Sequence, residues 1–456
     1  METQRVLETQ EATVTIIDAV MGTGKSTWAI SEMINNHSQR YVVVLPLLTE
    51  VERYREALKD HRAVYAPDPE KIDSPTIQTK LDTFKAMLAD GTGVIVTTHA
   101  LFSLWDQECF EHIKAHGYIC ILDETVDLVQ ETFVSTHDYQ MLLNSGYIEE
   151  ENYQGNENLK SIHGTPKTPM YDGEFSGFIK HALLNNLIRM DGKICIRTIK
   201  RESILSFRHC YVLTYMYPGS QMDCWFKLYG VDVNHMTLVR DVLMGNLHLA
   251  EYPGVYSGEQ FADLITLERS PGMLAVGARG RKKSIPLSTS DFDSMDHRRL
   301  EQIARNLLNF TWRKTENFVR RIIEDDVSHI GYYLLWTTKN KFRPKLEGKL
   351  RYKQVPGYEG IEKDIFLAHN TRATNDYAHK ACLAYMTTPM LRVPIAKFFR
   401  SCGLDFNDDL YMLSTLLQWV WRSRIRNLEE ILLYIPSEPL RCLFNQWLKG
   451  EVVVRL

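Results

Sequence analysis

The amino-acid sequence predicts an α/β fold of two lobes, each a parallel sheet flanked by helices. Short apolar runs alternate with helix-compatible stretches up to about residue 130, and the same alternation resumes beyond about residue 330. Size is the third observation, since 456 residues leave room for two or three domains that each bury a core.

In the first lobe, Thr13-Val14-Thr15-Ile16-Ile17 is a β-branched strand and Trp28 to Ile34 is compatible with a helix. Tyr41-Val42-Val43-Val44-Leu45, Gly93-Val94-Ile95-Val96-Thr97 and Tyr118-Ile119-Cys120-Ile121-Leu122 are short and apolar, as buried parallel strands are. From about 131 to 205 the chain turns polar and loop-like, with Glu149 to Asn156 and His163 to Pro166 as examples, and reads as an insertion. A strand returns at Cys210-Tyr211-Val212-Leu213-Thr214.

The boundary between lobes is expected between about 225 and 300. Residues 291–325 are rich in helix formers, with Leu300, Ile303, Leu307 and Phe310 near helical spacing, and predict one or two helices. In the second lobe Tyr332 to Trp336, Ile365 to Ala368 and Glu430 to Ile435 read as strands, with helices over about 374–400 and 408–426.

Composition excludes several classes. With 44% hydrophobic and 24% charged residues the chain is globular in type, and no apolar run is long enough to span a membrane. Met1 to Arg5 lacks the features of a secretory leader, so the expected location is cytoplasmic, or the interior of a host cell. The eight cysteines show no Cys-x-x-Cys spacing and read as reduced core residues. The histidines have no metal-ligand spacing, no Gly-x-Ser-x-Gly elbow is present, and Asp325-Asp326 reads as a solvated helix end.

A net charge of −4 argues against blanket affinity for nucleic acid but allows a local stripe. One runs from Lys339 through Lys341, Arg343, Lys345, Lys349 and Arg351 to Lys353, interleaved with Phe342 and Tyr352, a composition suited to a phosphate backbone and its bases.

The chemistry begins between the first strand and the first helix. Ala19-Val20-Met21-Gly22-Thr23-Gly24-Lys25-Ser26 reads as a phosphate-binding loop, whose small residues let backbone amides turn onto a polyphosphate at a helix N-terminus. Lys25 would reach the β- and γ-phosphates and the Ser26 hydroxyl would ligate Mg²⁺. Following the strand at 118–122, Asp123 would hold the metal through its water shell and Glu124 would polarise an attacking water.

With these motifs in frame, the chain resembles the superfamily 2 helicase-type ATPases, DEAD/DEAH-like phosphate-loop enzymes of the kind encoded by bacteriophages and mobile elements. Ala19 in place of the usual first Gly is typical of their motif I, and Asp123-Glu124-Thr125-Val126 is similar to motif II. Leu45-Pro46-Leu47-Leu48 and Thr97-Thr98-His99-Ala100-Leu101-Phe102 are similar to motifs Ia and Ib–Ic, Leu213-Thr214-Tyr215 lies at motif III, and Asn370-Thr371-Arg372-Ala373-Thr374-Asn375 resembles motif V. Gln418 to Arg426 resembles motif VI, with Trp421 for a Gly and Ile425 for the second arginine.

The resemblance implies two RecA-like lobes with an insertion in the first, spanning 1–230 and 326–456 with a partly helical connection at 231–325. It implies ATP and Mg²⁺ as cofactors, bound between the lobes. Gly22, Thr23, Gly24, Lys25, Ser26, Thr27 and Gln418 would contact the nucleotide, Ser26 and Asp123 the metal, and Glu124, Lys25 and Arg422 would serve catalysis. Arg426, four residues beyond Arg422 on one helical face, is favoured as the second finger. Thr98, His99, Arg372 and Asn375, together with Lys339, Lys341 and Arg343 of the basic stripe, would contact nucleic acid, DNA being favoured, and replication proteins are the expected partners. The function implied is a DNA helicase or translocase. A nucleotide-switched binding protein, such as a replication loader or host-defence inhibitor, and a packaging-terminase motor are the alternatives.

Overall fold

The structure, a computed structural model, describes residues 13–47, 49–71, 78–241, 245–274, 287–323, 330–348, 365–371 and 376–453. The chain forms two units, the first built from residues 1–251 and 391–406 and the second from 252–390 and 407–456. It is an α/β protein with parallel sheets flanked by helices, as the alternation predicts.

The first unit is organised on a seven-stranded sheet. Its strands are β1 (Thr13–Asp18), β2 (Tyr41–Leu45), β3 (Val94–Thr98), β4 (Ile119–Asp123), β10 (His209–Thr214), β11 (Val233–Arg240) and β12 (Leu247–Glu251), in the order β12-β11-β1-β10-β4-β2-β3. All neighbours are parallel except the β11–β12 pair. Alternate residues of each strand feed two cores. Val42 and Val44 pack on one face with Phe84, Phe110 and Trp225, while Tyr41, Val43 and Leu45 pack on the other with Trp28, Met33 and Tyr54. Burial on both faces is why these strands read as unbroken apolar runs. Helices α1 (Lys25–Asn35) and α2 (Thr49–Leu58) cover the second face.

Several sequence expectations are corrected. The insertion at 131–205 is not loop-like: it carries β6 (Ile148–Tyr153), β7 (Asn156–Gly164), β8 (Leu187–Met190) and β9 (Ile194–Thr198), which with β5 (Val129–Thr132) form a five-stranded antiparallel sheet. Glu149, Glu150 and Glu151 lie exposed on the edge strand β6, so no apolar alternation marks it, and Gln154-Gly155 turn the chain at φ 48° and 77°. Residues 231–251 are not a connection but supply β11 and β12 to the first sheet. The stretch 374–400 is not one helix, because Cys382–Tyr385 is a strand and only Val393–Ser401 is helical. Finally, the helix expected to run to residue 426 ends at Val420.

The second unit holds a four-stranded parallel sheet, β13 (Ile265–Leu267), β16 (Ile431–Tyr434), β15 (Cys382–Tyr385) and β14 (Leu334–Thr337), in that spatial order. Phe366 makes a single bridge to Trp336 in place of the strand expected over 365–368. Residues 297–323 are continuously helical, widening to π-helical turns at Phe310–Lys314 and Val319–Ile323. Leu307, Phe310, Leu334, Trp336, Cys382, Ala384 and Tyr434 share its core. The helix Val393–Ser401 belongs to the first unit, where Ile395, Phe398 and Phe399 join the core that holds Val42 and Val44.

Candidate phosphate-loop site

At the C-terminal end of β1 the loop 19–24 carries the chain into α1. Gly22 and Gly24 take φ of 83° and 98°, the left-handed region that glycine enters without steric cost. A Cβ on Gly24 would also meet Leu247 Cδ1 at 2.9 Å, the movable end of a side chain, so it is the backbone conformation that reserves this position for glycine. Gly24 caps α1 without a side-chain hydrogen bond, and no acidic residue lies in the first turn. Such a helix start leaves backbone amides and the positive end of the dipole available to an anion.

Lys25 donates from Nζ to the carbonyl oxygens of Ala19 and, at 3.0 Å, of Val20. Burial pushes its pKa from 10.5 down to about 8, although the carboxylates of Asp18, Asp123 and Glu124 pull it up. The Ser26 hydroxyl donates to Asp123 Oδ2 at 2.9 Å, joining the start of α1 to the end of β4. Hydroxyl and carboxylate oxygens together suit a hard divalent cation, and the glycine cradle suits a polyphosphate. Thr23 turns its hydroxyl back to Val20 O at 2.8 Å, and Thr27 is exposed.

Glu124 sits at φ 78°, an uncommon backbone state for a residue with a Cβ, with its amide bonded to Leu213 O at 3.0 Å. Met216, beyond the neighbouring strand β10, is likewise left-handed at φ 61°. Its amide and that of Tyr217 donate to Asp18 Oδ1 and Oδ2 at 2.8 and 2.9 Å, and His235 Nε2 lies 2.9 Å from Asp18 Oδ2. Asp18 thus ties together the ends of β1 and β10 and strand β11.

Sequence reading missed Asp18, His235, Arg53 and Tyr54. Arg53 Nη2 and Tyr54 OH donate to Asp123 Oδ2 at 3.0 and 2.9 Å. The one available signal was Asp18, a carboxylate ending a β-branched strand as Asp123 does. Arg53 and Tyr54 reach Asp123 from 70 and 69 residues away, and no local pattern announces that.

The remaining candidates lie elsewhere. Thr98 caps the short helix His99–Phe102 by accepting from Leu101 N at 3.4 Å, and His99 is half-buried in its first turn. In the second unit Lys341 pairs with Asp293 at 2.7 Å, Lys339 donates to Thr289 Oγ1, and Arg343 pairs with Glu347 at 2.7 Å while lying 4.1 Å from the Phe366 ring centroid. Phe342 is buried and stacks on Phe292. These contacts tie the first part of the basic stripe into the fold. Lys349, Arg351, Tyr352 and Lys353 lie outside the described residues, as do Leu48, Asp325, Asp326, Arg372, Ala373, Thr374 and Asn375.

Gln418 bonds to Ser414 on its own helix at 3.4 Å. Trp419 donates to Leu367 O, and Trp421, where the resembled motif has Gly, packs at 4.9 Å against Phe261 and 5.7 Å against Trp447. Because the α-helix stops at Val420 and a 3₁₀ turn begins at Arg424, Arg422 and Arg426 do not share a helical face. The reason for favouring Arg426 therefore falls away. Arg424, between them, pairs with Glu429 at 2.5 Å.

Fold and site together define an α/β protein that gathers a glycine loop, Lys25 and a Ser26–Asp123 pair at the end of a parallel sheet. Among families of known proteins, the one described as the YonV C-terminal Rossmann-like domain matches residues 259–448. The SPbeta prophage-derived uncharacterized protein YonV of Bacillus subtilis (strain 168) is 29% identical over 443 residues, covering 96% of this chain and 99% of that protein. Among solved structures, S. tokodaii Xpd4 aligns over 95% of this chain and 94% of that one, at 10% identity and a TM-score of 0.45. Among the described residues no helix is long and apolar enough to cross a membrane, and no cluster of three or more metal-ligating side chains occurs.

Proposed function

We propose that this protein is a Mg²⁺-dependent ATPase acting as a nucleic-acid motor, a translocase or helicase with DNA as the favoured track. The observation that carries the reading is the 2.9 Å contact between the Ser26 hydroxyl and Asp123 at the head of a helix that opens with Gly24 and Lys25. The prophage origin of the relative supports a role in phage or mobile-element replication.

In this reading the amides of Gly22 to Thr27 and the Lys25 ammonium bind the β- and γ-phosphates. Ser26 and Asp123 would hold Mg²⁺, which when bound neutralises charge on the phosphate oxygens. Glu124 orients the attacking water and takes its proton, a role worth about 10²–10⁴-fold in rate. Its left-handed backbone turns the chain sharply at the end of β4, beside Asp123.

The test is ATP turnover by the pure protein with single-stranded DNA, duplex DNA and RNA at one salt concentration, since backbone contacts are salt-dependent. Stimulation by a nucleic acid, abolished in Lys25→Ala, is expected. Full activity in that variant refutes the site, and tight nucleotide binding with negligible turnover on every nucleic acid reassigns the protein as a nucleotide switch.

A further inference from the structure

We infer that Arg53 is a built-in counter-ion for Asp123 that competes with the incoming metal–nucleotide complex. The inference rests on the nucleotide-hydrolase reading and concerns the regulation of that same site.

A single oxygen, Asp123 Oδ2, accepts from Ser26 Oγ at 2.9 Å, Tyr54 OH at 2.9 Å and Arg53 Nη2 at 3.0 Å. A carboxylate oxygen offers about two lone-pair directions, so these donors saturate it, and a hard cation taking that oxygen must displace one of them. Ser26 is itself a ligand of the same cation in this reading. Tyr54 is fully buried, its ring fixed among Trp28, Met33 and Leu58 in the core over α1 and α2.

Arg53 is the donor built to leave. It is the charged member of the set, and a guanidinium and a divalent cation repel one another on one carboxylate. Its side chain is 45% exposed on α2, so it can swing outward without unpacking the core. One turn back, Glu50 Oε2 already lies 2.8 Å from its other terminal nitrogen, Nη1. Release from Asp123 therefore leaves the guanidinium paired rather than stranded.

In the Arg53-paired arrangement the Asp123 charge is compensated, and the carboxylate is held toward the phosphate loop. A cation alone has to break the charge-assisted contact. A cation arriving with a nucleotide gains the loop amides and Lys25 as well, contacts that offset the loss of the Arg53 pair.

The experiment measures binding of a fluorescent, non-hydrolysable ATP analogue during titration with Mg²⁺, so that turnover is not the readout. Arg53→Ala and Arg53→Gln are expected to lower the Mg²⁺ concentration at half-saturation by about three- to tenfold. Arg53→Lys, which keeps charge but loses the fork, should fall between them and wild type. Glu50→Ala, which removes the alternative partner, should shift the midpoint upward, and binding in EDTA should be the same in all variants.

An unchanged or raised midpoint in Arg53→Gln, with a wild-type thermal melt, overturns the inference and leaves the nucleotide reading intact. Failure of wild type to bind the analogue at any Mg²⁺ concentration overturns both. If Arg53→Ala does not fold, the Gln and Lys variants carry the comparison.

Discussion

The imidazole of His235 and the carboxylate of Asp18 meet at 2.9 Å across neighbouring parallel strands, and the same carboxylate takes the amides of Met216 and Tyr217. Asp18 is 1% exposed, so water cannot replace those bonds. Asp18→Ala is expected to destabilise the first unit by about 3 kcal/mol, the cost of stranding buried donors. Urea unfolding followed by tryptophan fluorescence measures it. A loss below about 1 kcal/mol would mean that solvent reaches the site.

Lys25 gives a pH dependence whose sign can be worked out. With its pKa near 8 in the fold against 10.5 when free, the ammonium is lost as pH rises through 8, and affinity for a nucleotide triphosphate should fall between pH 7 and 9. The folded state binds fewer protons than the unfolded chain between pH 8 and 10.5, so this group makes the protein more stable as pH rises through that window. Lys25→Met should raise the urea midpoint at pH 7 and abolish nucleotide binding. A flat binding profile from pH 7 to 9 would count against a lowered pKa.

Glu124 separates strain from chemistry. Glu124→Gln keeps the left-handed backbone and should retain nucleotide binding while lowering turnover at least about a hundredfold. Glu124→Gly should lose turnover equally and gain about 1 kcal/mol of stability, because glycine occupies φ 78° without a Cβ penalty. Paired thermal melts and turnover rates of the two variants test this.

The glycine-lysine-serine loop and the Asp-Glu pair are legible as candidates because each is a local string beside a strand whose pattern is also local. Val42, Ile95 and Ile121 announce their strands for the same reason: buried on both faces, they sit in apolar runs. In the edge strand carrying Glu149 to Glu151, Ile148 alone is buried, so no alternation betrays it. Cys382 to Tyr385 misleads in the opposite way, since a short apolar run suits a buried helix as well as a buried strand. Arg53 on Asp123 and Phe398 in the first core are products of folding across long sequence separations, and periodicity carries no information about either.

Phe398 is buried in the first unit's core although it is flanked in sequence by the second unit. Phe398→Ala is expected to cost about 3–5 kcal/mol, as truncation of a buried aromatic does. Hydrogen exchange should locate the loss around Val42, Val44 and Phe110 rather than in the sheet of Leu334 and Leu433. Loosening confined to the second sheet would contradict the assignment of this helix.

The return of residues 391–406 to the first unit also orders events during synthesis. A ribosome making this chain completes the strand Leu247–Glu251 with that unit's core still short of Ile395, Phe398 and Phe399. Those side chains emerge only after residues 252–390, so the first unit stays incomplete until most of its neighbour has been translated. A message broken between codons 252 and 390 yields a first unit with an open apolar face, a product suited to chaperone capture.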